Sequence, residues 1–130
     1  MPLLTALVTA LALALYLGTV IAVMRGRGRY GIAAPATSGH AVFERLFRIQ
    51  QNTQEQLVLF LPALWLYSLF VSPSWGAAIG AVWLLARLAY AVGYVREPKL
   101  RAPGMIVSFF AAGVLLAGGL VGVVAALRAG

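Results

Sequence analysis

The chain contains no cysteine among its 130 residues and only one histidine, His40. Without cysteine it can form no disulfide, and it has neither a thiol nucleophile nor a thiolate ligand for a metal ion. A single histidine also excludes a multi-histidine metal centre within one subunit, so no metal site is predicted. Any thiol chemistry would therefore depend on a bound molecule that carries its own sulfur atom.

Charged residues are also scarce, and they are unevenly placed. The sequence has ten basic and three acidic residues, whereas 62% of its residues are hydrophobic, which is typical of a membrane protein. The net charge of +7 could suit nucleic acid, but the basic residues mostly follow the first and third hydrophobic segments, and the turn at 72–74 has none. This asymmetry predicts that the basic loops face the cytoplasm and both termini face the opposite side.

Four hydrophobic segments are predicted to be helices, at about 3–24, 42–71, 75–95 and 104–127. Each can cross a hydrocarbon core of about 30 Å at a rise of about 1.5 Å per residue. Because a backbone in lipid must satisfy its own hydrogen bonds, segments of this length are helical. We therefore predict an all-α, integral membrane four-helix bundle in which residues 1–130 form one domain. Residues 25–41 are predicted to form its only substantial loop.

The second hydrophobic segment begins with a row of polar and charged side chains. Its apolar part, Leu57 to Val71, is shorter than the roughly 17 residues that a membrane-spanning helix usually needs. The preceding polar turn should therefore lie at membrane depth, where it must face protein or water. Arg48, Asn52 and Glu55 follow an i, i+4, i+7 spacing, so they are predicted to share one face of the helix.

A second polar stripe is predicted on the third segment, where Arg87, Tyr90 and Tyr94 follow an i, i+3, i+7 spacing. Counted along the two helices from the uncharged turn at 72–74, both stripes lie at a comparable depth in the membrane. Arg101 lies in the next loop and could fold over them. Arg87 is expected to neutralise Glu55 as a structural ion pair, because an unpaired buried charge is costly.

Such a pocket would suit a small zwitterionic peptide with excess carboxylate. Arginines offer forked donors to carboxylates, and a glutamate can accept an ammonium group. Gln50 and Asn52 could pair with peptide amides. Glutathione meets these demands, and it also carries the thiol that the chain lacks.

Two sequence motifs resemble those of the MAPEG family, the membrane-associated proteins of eicosanoid and glutathione metabolism. The first is Phe-Glu-Arg-x-x-Arg-x-Gln-x-Asn-x-x-Glu at residues 43–55. The second is Ala-Arg-Leu-x-Tyr-x-x-Gly-Tyr-x-Arg at residues 86–96, followed by Leu100 and Arg101. Both stand in order within a chain of the expected length, so the resemblance extends over nearly all of it.

The resemblance implies a homotrimer that binds glutathione as cosubstrate between neighbouring subunits, near the cytoplasmic side. It implies that Arg101 is catalytic and stabilises the glutathione thiolate. By position, the residues that match glutathione-contacting residues of leukotriene-forming members are Arg27, Arg48, Asn52, Glu55, Tyr90, Tyr94 and Arg101. A multi-pass protein of the bacterial inner membrane, with its site towards the cytoplasm, is the expected location.

The sequence leaves the activity open between several functions. A glutathione transferase or peroxidase acting on lipophilic electrophiles or hydroperoxides is favoured. A non-catalytic lipid-binding or scaffold protein is the alternative, because Gln56 and Gly28 stand where leukotriene-forming members carry a tyrosine and an arginine. A small multidrug transporter is less favoured, since the first segment has no membrane-embedded carboxylate.

Overall fold

A computed structural model describes all 130 residues and shows an all-helical chain with four long helices. A short 3₁₀ turn, Pro98–Arg101, lies between the last two. The helices are α1 (Leu3–Tyr30), α2 (Ala41–Phe70), α3 (Pro73–Arg96) and α4 (Ala102–Ala129). The predicted fold class is confirmed at this level: the protein consists of four helices and no strands.

Three segments are long and apolar enough to cross a membrane: Leu3–Tyr30, Pro73–Arg96 and Pro98–Ala129. The remaining helix, α2, has no stretch that is both long and apolar enough to cross a membrane, because polar and charged residues occupy its first turns. α2 nevertheless packs against each of the other three helices. The most polar helix of the bundle is therefore in contact with all of the other helices, although the charged face of its first turns stays exposed in the subunit.

The first helix is longer than the hydrophobic pattern predicts. α1 continues past Met24 through the basic run and ends at Tyr30, so the prediction that a loop begins at residue 25 is wrong. Arginine favours the helical state, and the end of an apolar run marks only where a side chain leaves lipid. Gly31 ends the helix in a left-handed conformation, with φ 67°, which glycine adopts at no steric cost.

Local capping defines the other junctions. The Ser72 hydroxyl accepts a hydrogen bond from the Trp75 N–H at 3.2 Å, and Pro73 begins α3 where no N–H is needed. At the other end of α3, the Arg45 guanidinium donates to the Val95 carbonyl at 2.8 Å. This bond satisfies a carbonyl that the helix leaves without an internal partner, and it joins the start of α2 to the end of α3.

The bundle core is aromatic and aliphatic between α2 and α3. Phe60 and Trp83 stack with ring centroids 3.8 Å apart and an interplanar angle of 3°, and both are fully buried. By contrast, large hydrophobic side chains such as Leu85 and Phe110 are 69% and 65% exposed. An outer surface of this kind suits lipid, because water would oppose its exposure.

The first turn of α4 comes very close to α3. A Cβ added to Gly104 would lie 2.7 Å from the Tyr90 backbone nitrogen and 2.8 Å from its Cβ. Only a glycine permits this approach. The contact brings the beginning of α4 beside Tyr90, one of the residues predicted to bind ligand.

Candidate functional site

One pocket of about 300 Å³ lies between α2, α3 and the turn that precedes α4. It opens at the end of the bundle that holds the loop between α1 and α2. Its lining residues are Arg48, Gln51, Asn52, Glu55, Tyr90, Tyr94, Arg101 and Met105. The structure therefore brings together six of the residues that the sequence singles out.

The α2 side of this pocket follows directly from helical periodicity. Arg48, Asn52 and Glu55 lie on one stripe, as the spacing predicts, and all three line the cavity. Gln51 belongs to the same stripe, three residues after Arg48 and four before Glu55, and it was not anticipated. The i, i+3, i+7 relation of these positions was the signal that could have identified it.

The α3 side consists of two tyrosines that support an arginine. Tyr90 and Tyr94 meet edge to face with ring centroids 5.7 Å apart, and the Arg101 guanidinium carbon lies 5.5 Å from the Tyr94 ring centroid. The 3₁₀ turn packs tightly on α3, because a Cβ on Gly93 would lie 2.8 Å from the Leu100 carbonyl oxygen. This contact holds Arg101 over the pocket, as expected for an arginine in the loop after the third segment.

Arg87 does not have the partner that the sequence suggested. Its guanidinium donates to Asn52 Oδ1 at 2.8 Å and to Thr53 Oγ1 at 3.1 Å, and Glu55 is not among its partners. The expected Arg87–Glu55 ion pair is therefore wrong in this subunit. Thr53 faces the core, and Glu55, two residues later at about 100° per residue, points nearly the opposite way.

Two predicted residues lie outside the pocket. Arg27 donates to the Ala36 carbonyl at 2.7 Å, and its guanidinium carbon lies 5.1 Å from the Phe43 ring centroid. Gln50 is half-buried but does not line the cavity, since it is offset by about 200° around α2 from Asn52. Within one subunit, neither side chain is placed to contact a molecule in this pocket.

The charge of the pocket suits a ligand with more carboxylate than ammonium groups. Arg48 and Arg101 contribute two positive charges, and Glu55 contributes one negative charge. A guanidinium binds a carboxylate through two parallel hydrogen bonds, and the glutamate can accept from an ammonium group. The tyrosine rings offer flat walls with polar tips.

A smaller apolar crevice of about 280 Å³ adjoins this pocket, and Asn52 and Met105 line both cavities. The other residues of the crevice are Gln56, Ile106, Phe109 and Phe110. This part of α4 is apolar and exposed in the subunit, so the crevice opens on an apolar outer surface. The arrangement can hold a polar molecule and an apolar one side by side.

These features define a four-helix membrane protein with a cationic pocket beside an apolar crevice. Comparison with known proteins gives its family, since the model of the MAPEG family matches residues 5–121. The chain belongs to the MAPEG family, and it is an integral membrane protein.

Three relatives illustrate the range of similar proteins. An uncharacterised protein of Synechocystis sp. is 46% identical over 95% of this chain and 90% of its own length. Leukotriene C4 synthase of Cavia porcellus is 35% identical over 94% of this chain and 81% of its own length. Microsomal glutathione S-transferase 2 of Bos taurus is 31% identical over 76% of this chain and 68% of its own length. The relatives that carry functional names thus include a leukotriene synthase and a glutathione transferase.

Proposed function

We propose that this protein is a membrane-bound, glutathione-dependent transferase or peroxidase that acts on lipophilic electrophiles or hydroperoxides. The observation that carries the proposal is the convergence of six residues from α2, α3 and the following turn on one pocket. Its charge pattern matches glutathione, which has two carboxylates and one ammonium group. The name of one relative, microsomal glutathione S-transferase 2, supports the same ligand.

In this proposal the two charged residues of the α2 stripe bind the ends of glutathione. Arg48 pairs with a carboxylate and Glu55 accepts from the ammonium group. Asn52 contacts the peptide backbone between them, and Tyr90 and Tyr94 form the opposite wall. The thiol then lies beneath Arg101, whose guanidinium lowers the thiol pKa by favouring the thiolate.

The proposed chemistry is attack by the glutathione sulfur on a substrate held in the apolar crevice. In conjugation, the thiolate forms a sulfur–carbon bond, and the leaving group departs with its electron pair. With a hydroperoxide, the sulfur attacks the outer oxygen, the O–O bond breaks, and an alcohol and a sulfenic acid form. A second glutathione then reacts with the sulfenic acid, giving glutathione disulfide and water.

The proposal includes a homotrimer with glutathione bound between subunits. Arg27 and Gln50 lie away from the pocket of their own subunit, and in the proposed assembly they reach the pocket of a neighbour. The basic segments at this end of the bundle favour a cytoplasmic site in a bacterial inner membrane.

Turnover by the purified protein in detergent tests the function directly. We expect glutathione conjugation of chloro-dinitrobenzene, or reduction of a lipid hydroperoxide, at a rate well above that of protein-free micelles. The matched control is Arg48→Ala, which should weaken glutathione binding while the apolar crevice remains intact. If glutathione neither binds nor reacts with any of these substrates, the enzyme proposal fails.

The apolar crevice also favours a second candidate, a non-catalytic lipid-binding or scaffold protein. Gln56 lines this crevice and carries an amide where leukotriene-forming members have a phenol. Binding of a fatty-acid probe without any glutathione-dependent turnover would support this candidate. The small transporter considered from the sequence has no comparable support, since α1 contains no acidic residue.

A further inference from the structure

Arg87 is the only charged side chain that the bundle buries almost completely, with 1% of its surface exposed. It donates from Nη2 to Asn52 Oδ1 at 2.8 Å and to Thr53 Oγ1 at 3.1 Å. It donates from Nη1 to Ser108 Oγ at 3.4 Å. The guanidinium thus connects α2, α3 and α4 through uncharged acceptors, at the back of the ligand pocket.

These contacts do not serve to neutralise the charge. Burial of a guanidinium is costly, and a carboxylate would be the usual partner. Here the positive charge is stabilised instead by a cation–π contact with the Tyr90 ring, whose centroid lies 4.1 Å from the guanidinium carbon. The ring against its face and the two in-plane hydrogen bonds from Nη2 to α2 together define the orientation of the guanidinium.

This orientation decides which end of the Asn52 amide faces the pocket. A guanidinium has five N–H donors and no acceptor, so it can bind only the oxygen of the amide. Once Oδ1 is held by Arg87, the planar amide turns its Nδ2 group the other way. Asn52 lines the pocket wall, and Oδ1 is the amide atom that Arg87 occupies.

We propose that Arg87 is a positioning residue that holds the Asn52 amide with its NH₂ group turned into the pocket. Position 52 then acts as a hydrogen-bond donor and recognises a carbonyl or carboxylate oxygen of the bound peptide. The inference rests on the proposed binding of glutathione. It adds that Arg87 contributes to affinity through Asn52, without contacting the ligand.

A double-mutant cycle on glutathione affinity tests this coupling. We expect Arg87→Met, which keeps length but removes every donor, to weaken glutathione binding about tenfold in calorimetry. Asn52→Ala should weaken it to a similar degree. The double variant should bind within about twofold of Asn52→Ala alone, because Arg87 has nothing left to position. Arg87→Lys should recover part of the loss, since an ammonium group can still donate to Oδ1.

Two further variants separate positioning from a general structural role. Asn52→Asp keeps an acceptor for Arg87 but removes the donor, so it should bind glutathione no better than Asn52→Ala. Ser108→Ala removes only the 3.4 Å contact and should change affinity by less than twofold. If Arg87→Met does not assemble, the cycle is run with Arg87→Lys, and thermal unfolding in detergent is recorded for every variant.

The outcomes distinguish this inference from the proposed function. If the unmodified protein does not bind glutathione, the proposed function itself fails. If it binds, but the losses from the Arg87 and Asn52 variants multiply, Arg87 acts independently and the positioning role is overturned. Wild-type affinity in Asn52→Asp, or in both Arg87 variants, would overturn it as well.

Discussion

Replacement of Arg101 by alanine should act mainly on the ionisation of the bound thiol. In the proposed complex the guanidinium lies close to the sulfur, because Tyr94 and the 3₁₀ turn hold it over the pocket. Two charges about 4 Å apart interact by about 1 kcal/mol in water and about 4 kcal/mol at an effective permittivity of 20. Arg101 is exposed in the subunit, so the lower part of this range applies.

A stabilisation of about 1.4 kcal/mol corresponds to one pKa unit. The cation favours the thiolate, so it lowers the thiol pKa, and its removal should raise that pKa by about one unit. At a pH where most of the bound thiol is protonated, the glutathione complex of Arg101→Ala should therefore contain about tenfold less thiolate than the wild-type complex. The variant should turn over about tenfold more slowly at that pH. The deficit should shrink as the pH rises through the thiol pKa of the wild-type complex, and it should nearly vanish above the thiol pKa of the variant.

Thiolate formation can be followed by its ultraviolet absorbance while the pH of the glutathione complex is varied. Arg101→Lys is the matched control, since it retains a positive charge and should shift the titration much less. Arg48→Ala should lower glutathione affinity but leave the titration of the saturated complex near its original position. An unchanged titration in Arg101→Ala would refute the role of Arg101 and make the Tyr90 and Tyr94 phenols the next candidates.

Three other predictions concern binding, topology and packing. Arg48→Ala and Glu55→Gln should each cost about 1.5–3 kcal/mol of glutathione affinity in calorimetry, and unchanged affinity in both would contradict the proposed binding mode. In sealed vesicles, an impermeant maleimide should label Gly28→Cys and Ser74→Cys from opposite sides; labelling of both from one side would refute the topology. Gly104→Ala should destabilise the fold by about 1–3 kcal/mol, because its Cβ would meet the Tyr90 backbone. Gly113→Ala, with nothing within 4 Å of its Cβ, should not lower the unfolding temperature in detergent.

The α2 part of the site could be predicted from the sequence because helical periodicity fixes which side chains share a face. Once residues 48–55 were assigned to a helix, Arg48, Asn52 and Glu55 had to lie together. The end of α1 was not predictable in the same way. Hydropathy reports where lipid contact ends, whereas Gly31 decides where the helix itself ends.

Contacts between helices were harder to predict, because they depend on rotation as well as depth. The sequence places Glu55 and Arg87 at similar depth with opposite charges, which favours an ion pair. The packing of α2 instead turns Thr53 and Asn52 towards Arg87. The apolar crevice was not predicted for the same reason, since it combines Gln56 of α2 with side chains of α4 that have no sequence relation to it.

The exposed charges of α2 provide the strongest physical argument for the proposed homotrimer. Arg48 and Glu55 are exposed in the single subunit, yet they belong to the polar turns that precede the short apolar stretch and should lie at membrane depth with it. A charged side chain at that depth cannot face hydrocarbon without a cost of at least about 2.5 kcal/mol near the helix centre. Arg27 and Gln50 were predicted to bind the ligand, but they lie away from the pocket of their own subunit. A neighbouring subunit packed on this face would account for both observations. It would cover the charged stripe of one subunit with the polar residues of the next.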